Sequence, residues 1–159
     1  MPKRKTETSP DAAGILFTFF NEIGIISQLS GKLFESQLPD GLTSSQFGVL
    51  NWFHRVDDEA TPKRLAVAFQ VTGGAMTNTL KRLQSKGLIK VVPDPNSGRQ
   101  KKVTITAKGR MMRDKAIAAA APLFEEFARE FPVGQLEAQL STLREIRQYL
   151  DEYRYRESV

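Results

Sequence analysis

The sequence predicts a mainly α fold with one small β-hairpin, and three observations carry that reading. Two short amphipathic helices stand a two-residue turn apart, two strand-like runs follow around a turn-forming segment, and positive charge gathers on the second helix and the hairpin. In the first helix Thr61 is placed to N-cap, Pro62 takes N1 where its missing N–H costs nothing, and Leu65, Ala66 and Phe69 share a face. Gln70 and Val71 make the turn. Thr72 can cap the second helix, where Met76, Leu80 and Leu83 recur at i, i+4, i+7 and Gly73, Gly74, Thr77, Asn78 and Lys81 take the opposite face. Gly87 ends it as a C′ glycine, and LIKVV and KKVTI read as strands joined by Asp94-Pro95-Asn96-Ser97-Gly98. That order is a winged helix-turn-helix over residues 43–106, with the hairpin as wing.

Charge sharpens this. The 159-residue chain carries a net charge of +5, yet Lys81 to Lys115 alone holds eleven Lys/Arg against Asp94 and Asp114, so the remainder is net negative. A basic excess on a helix and a hairpin of this kind is the footprint of a surface that neutralises phosphates.

The flanking segments supply a helical lobe from both termini, residues 10–38 and 107–155, within a single domain, 1–159. Ser9 is placed to cap a long helix with Pro10 at N1 and Asp11 in its first turn; Leu16, Phe19, Phe20, Ile23, Ile26, Leu33 and Phe34 trace its stripe down to Leu38, before Pro39-Asp40-Gly41 stops it. This helix is more apolar than a small lobe needs, which makes it a candidate for burial against another chain, with ordinary core packing as the other reading. Thr43-Ser44-Ser45-Gln46 reads as a capping box for a helix whose Phe47, Leu50 and His54 share a face. Asp57-Asp58-Glu59 reads as a solvated acidic break. Past the wing, Thr106 is placed to cap a helix that kinks or restarts at Pro122, and Leu123, Phe124, Phe127 and Phe131 continue its apolar face. A last helix carries Leu136, Leu140, Leu143, Ile146, Leu150 and Tyr153, a short heptad-like seam.

Composition removes several classes. Without cysteine there is no disulfide, thiolate metal site or thiol switch. One histidine and no nucleophile, phosphate-loop or metalloprotease motif argue against an enzyme, and the adjacent acids lack the spaced ligands of a calcium loop, so neither cofactor nor metal is expected. The longest apolar runs, ILFTFF and AIAAAAPLF, fall short of the roughly 20 residues that span a bilayer, so the expectation is a soluble, cytoplasmic protein without membrane association. The initial PKRK reads as a basic arm.

The chain resembles the MarR family of transcriptional regulators along nearly its whole length. The matching positions are Leu42-Thr43, Gln46-Phe47, Val49-Leu50, Leu65-Ala66, Leu83, Gly87-Leu88, Asp94-Pro95, Arg99 and, most specific, Ile105-Thr106-Ala107-Lys108-Gly109. The resemblance implies a homodimer held by the terminal helices, recognition helices in successive major grooves of a pseudo-palindromic operator, wings at the minor groove, a repressor more often than an activator, and often an aromatic or phenolic ligand between the lobes. The family's wing usually reads Asp-Pro-x-Asp-Arg-Arg; here Ser97 and Gly98 replace the second Asp and first Arg, which puts the wing's internal ion-pairing in doubt.

The expected DNA-facing residues are Thr72, Gly73, Gly74, Ala75, Thr77, Asn78, Lys81, Arg82, Arg99, Lys101 and Lys102, with bases read mainly by Ala75, Thr77 and Asn78. Gly73-Gly74 would let backbone N–H groups approach a phosphate; a loose first turn is the competing reading. Leu16, Phe20, Ile23, Leu136, Leu140, Leu143, Ile146 and Leu150 are the expected dimer contacts. Phe20, Phe53 and His54 would wall a ligand site, with Arg55 pairing a small aromatic acid. The rival from another class is a winged helix used for protein interaction, against which the clustered basic charge speaks.

Overall fold

The structure is a computed structural model that describes residues 11–156, with side-chain environments through residue 155. Its elements are α1 (Ala12–Glu35), α2 (Ser44–Arg55), β1 (Glu59–Ala60), α3 (Pro62–Phe69), α4 (Gly73–Ser85), β2 (Ile89–Asp94), β3 (Ser97–Ile105), α5 (Ala107–Ala119), α6 (Ala121–Glu130) and α7 (Val133–Arg156). They form two compact units, one closing at Ala119 and the other opening at Ala120.

In the first unit the core lies among α2, α3, α4 and the three-stranded sheet. Leu50, Leu65, Leu83, Leu88 and Val103 are fully enclosed, and Ala116 joins them from α5. The sheet is antiparallel in the order β1-β3-β2. β1 refines the reading of its segment: Asp57 and Asp58 form the expected break before the helix-turn-helix, while Glu59, itself exposed, pairs with Thr104 and Ala60 with Val103 at the sheet edge. Each acid also holds a cation: Asp57 pairs with Arg64 at 2.6 Å, Asp58 with Arg110 at 2.8 Å, and Glu59 with Lys102.

The expected wing turn is tighter than its five residues. Asp94 pairs with Ser97 across a two-residue Pro95-Asn96 connection, the Asn96 N–H donates to Asp94 Oδ1 at 2.9 Å, and Ser97 and Gly98 already belong to β3. The capping box before α2 forms in one direction. Thr43 Oγ1 accepts from Gln46 N–H at 3.3 Å, but the Gln46 carboxamide turns inward and its Oε1 accepts from Lys86 Nζ at 3.3 Å.

Helix α1 begins at Ala12 with Asp11 in the N-cap position and without a side-chain capping bond; Ser9, Pro10 and the PKRK arm lie outside the described residues. None of its 24 residues is buried. Its last turn docks on α2 through an edge-on contact of Phe34 with Phe47 (4.9 Å between ring centroids), and Glu35 Oε1 accepts from Ser44 N–H at 3.1 Å. By length and composition α1 could cross a membrane, which counting apolar runs misses because Asn21, Glu22 and Ser27 interrupt the apolar sequence while adding a single charge.

The second unit holds α6 and α7. The chain restarts as expected at Pro122, which sits in the first turn of α6, where a proline has no helical N–H to lose. Phe131 is extended (φ −124°, ψ 130°), as the residue before Pro132 must be to avoid the ring, and this divides α6 from α7.

Candidate nucleic-acid interface

The outward face of α4 is built by its ends. Thr61 caps α3 by accepting from Arg64 N–H at 3.1 Å, and Thr72 caps α4 by accepting from Ala75 N–H at 3.2 Å. A cap of this kind is worth about 1 kcal/mol. Between the two helices Gln70 takes a left-handed conformation (φ 52°, ψ 42°), and Val71 N–H closes back on Ala66 O at 3.1 Å. At its other end α4 finishes in a Schellman arrangement: Gly87 at φ 72° donates to Gln84 O at 2.9 Å, and Leu88 donates to Leu83 O at 3.0 Å.

Three further groups tie down that C-terminal end. The Lys86 ammonium donates to Asp40 O (3.2 Å), Gly41 O (2.9 Å) and Gln46 Oε1 (3.3 Å), joining α4 to the turn between α1 and α2. Lys108 Nζ donates to Lys86 O at 2.8 Å, a cation on a helix C-terminal carbonyl where the dipole favours it. Thr106 donates its hydroxyl to Gly87 O at 2.8 Å and accepts from Gly109 N–H at 3.0 Å, so one side chain caps α5 and ties it to the end of α4. Gly109 completes the buckle: a Cβ there would lie 2.1 Å from Leu88 O. The Thr106-Ala107-Lys108-Gly109 block is thus the fastening of α4 to α5, and its residue types follow from that geometry.

With Met76, Leu80 and Leu83 held in the core, α4 exposes Gly73, Gly74, Ala75, Thr77, Asn78, Lys81 and Arg82 together. A side chain added at Gly73 or Gly74 would meet nothing within 4 Å, so packing does not demand glycine there. An open hollow of about 480 Å³ lies beside this face, lined by Pro62, Lys63, Ala66, Val67, Gln70, Val71, Gly73 and Thr77. On the wing Arg99 and Lys101 are exposed and hold no carboxylate among the described residues, while Lys102 is part-buried and occupied by Glu59.

The residues expected to wall a ligand site are not equivalent. Phe53 is enclosed in the core, 2% exposed and edge-on to Trp52 at 5.4 Å. Its ring therefore supports the floor of α2 and faces no open space. His54 and Arg55 are exposed in the last turn of α2, and Phe20 is 43% exposed on α1. Of the expected dimer contacts, Leu16, Phe20, Leu136, Leu140, Leu143 and Leu150 are each at least 40% exposed, and Ile23 and Ile146 are half-buried.

Sequence reasoning passes over two contributors. Trp52 is buried beneath the Arg64 guanidinium, 5.1 Å from its ring centroid, while the same Arg64 holds Asp57, whose carboxyl lies below its ordinary range because Arg64 donates to it. Lys86 reads in the sequence only as charge. Its acceptors at Asp40, Gly41 and Gln46 lie 40 or more positions away, so no local pattern marks it.

Two capped helices at a left-handed turn, with an antiparallel hairpin beside them, define the class: a winged helix-turn-helix protein with its recognition-helix face open. Residues 40–100 match the model of the MarR family. The chain is similar to a cysteine-to-serine mutant of MarR from E. coli (26% identity, 79% of this chain and 93% of that one covered, TM-score 0.69). It is equally similar to the transcriptional regulator BldR from Sulfolobus solfataricus (26% identity, 84% and 94% covered, TM-score 0.71). The same E. coli mutant solved with operator DNA shares the fold at 23% identity and TM-score 0.67, with 87% and 99% covered. Comparison with curated proteins finds no match. Fold and segment together show a winged-helix architecture shared with solved transcriptional regulators, with the match to the MarR family model confined to residues 40–100.

Proposed function

We propose that this chain is a sequence-specific double-stranded DNA-binding regulator that works as a homodimer and represses by occluding a promoter. The observation that carries the reading is the exposed face of α4, where Ala75, Thr77, Asn78, Lys81 and Arg82 stand together on a helix fastened at both ends, with Arg99 and Lys101 on the wing. A rigid helix with a short amide, a hydroxyl and flanking cations suits a major groove, where Asn reads adenine bidentately and Lys neutralises phosphate. Gly73 and Gly74, bare at the capped N-terminus, suit close approach of backbone N–H groups to a phosphate.

The homodimer is supported by the apolar surface of α1, α6 and α7, too extensive to be left to water. A second copy, and not lipid, is the occupant of α1 in this reading, and the protein is cytoplasmic. Release by a small aromatic acid rests on His54 and Arg55, which offer a titratable ring and a guanidinium in one turn of α2, with Phe20 as the aromatic wall. Such a ligand must lose affinity when operator is bound by the factor through which it weakens DNA binding.

The test is footprinting against the DNA that flanks the protein's own gene. Two protected half-sites roughly 34 Å apart, one helical turn, are expected of paired recognition helices. A pattern without discrete protection contradicts sequence-specific binding.

A further inference from the structure

The acids from Asp57 to Glu59 hold cations from α3, α5 and β3, and only the last of these belongs to the wing. Glu59 stands opposite Thr104 in the β1–β3 ladder, and Lys102 lies two residues before Thr104 on β3. Successive side chains of a strand alternate faces, so Lys102 and Thr104 share one, and Glu59 meets Lys102 diagonally across it. Lys101 takes the other face. Among the described residues Lys102 is therefore the one wing cation whose charge is already answered by a carboxylate; Lys90, Arg99 and Lys101 have none.

Nothing in the fold requires this pair. Its partners are about one-third and one-half exposed, and ion pairs of that kind add little to stability. β1 is held independently by backbone pairing with β3 and by the buried Ala60. The pair also lines an open groove of about 210 Å³, bordered by Asp57, Arg64, Asp94 and Asn96, which gives the lysine stem room to swing.

We propose that Glu59 masks Lys102, holding one phosphate-facing cation of the wing in reserve so that DNA must displace a carboxylate to engage it. The proposal rests on the DNA-binding reading and adds a regulator of its strength. Phosphate contacts supply affinity without sequence information, so a masked cation lowers binding to arbitrary DNA most. Where base contacts hold the wing in place, the exchange of Glu59 for phosphate is driven and Lys102 is recruited. Glu59 thus widens the gap between preferred and arbitrary sites.

The experiment is a salt titration of binding to a random-sequence duplex, by fluorescence anisotropy, for wild type, Glu59→Gln, Lys102→Gln and the double variant, with thermal denaturation as the folding control. Glu59→Gln is expected to tighten binding about 3- to 10-fold at low salt and to steepen the salt slope by about 1, the signature of one added phosphate contact. Lys102→Gln is expected to abolish the gain, so that the double variant binds no more tightly and with no steeper salt slope than Lys102→Gln alone. Glu59→Ser serves as a second neutral variant should Gln disturb β1. Wild type that binds while neither neutral variant tightens binding overturns the mask alone. A gain that survives Lys102→Gln overturns it too, by showing general repulsion from Glu59. Wild type that binds no duplex at any salt removes the DNA-binding reading and the mask with it.

Discussion

Helix α4 buries three large side chains along 13 residues, whereas α1 buries none along 24, although α1 is much the more apolar. The same contrast separates α4 from α7, which has no buried side chain among its described residues. Apolar content alone does not make a core. The winged helix satisfies itself: caps, a Schellman end and ammonium-to-carbonyl bonds close its polar backbone, and its apolar face meets three other elements. The long helices at either end of the chain leave most of their large apolar side chains exposed. The winged helix is closed on itself, and the proposed homodimer is what would give the exposed apolar faces a partner.

The largest effect expected from this contrast is on assembly. Replacing Leu143 and Leu150 together by Asp places two carboxylates where a second chain would have to desolvate them, a cost that overwhelms a marginal interface. Sedimentation should show monomer. A double variant still dimeric and fully helical would mean that these leucines are not part of the association surface.

Within the winged helix the corresponding weak point is the buckle between α4 and α5. Gly109→Ala would drive a methyl against the Leu88 carbonyl and is expected to cost about 1–3 kcal/mol or more in denaturant unfolding, as overpacking of a tight contact does. An unchanged midpoint would show that α5 shifts freely and is not fastened there. The smallest effect is electrostatic. Asp57 and Asp40 titrate below their ordinary carboxylate value, because Arg64 donates to the first and Lys115 to the second. A depressed carboxylate pKa contributes stability above the unfolded value near 3.8 and loses it as pH falls through the folded pKa. Arg64→Ala should return Asp57 toward 3.8 in an NMR titration while Asp40 stays depressed; movement of both would mean that the two sites are coupled.

Local signals carried much of this into the sequence. Thr61-Pro62, Thr72 and Gly87 announce helix ends through chemistry confined to four or five residues, and the structure places caps and breaks at those positions. What stayed illegible depends on partners distant in the chain. β1 is two residues long, too short to show alternation, and its pairing residues lie more than 40 positions away. Lys86 has its acceptors at Asp40, Gly41 and Gln46, so sequence shows a surface charge where the fold makes an anchor. Phe53 shares a helix turn with His54 and Arg55, which suggests a shared pocket, yet a neighbouring residue on a helix points some 100° away, and its ring belongs to the core.

The central claim is that the exposed face of α4 reads bases while the cations around it hold phosphate. Its direct test compares wild type and Asn78→Ala on the footprinted site and on a shuffled duplex of equal length at one salt concentration. Wild type should prefer the site by about 10³-fold or more. Asn78→Ala should lose about 1–3 kcal/mol on the site and almost nothing on the shuffled duplex, so that the preference shrinks. Equal losses on both duplexes, or a wild type without preference, would contradict the claim.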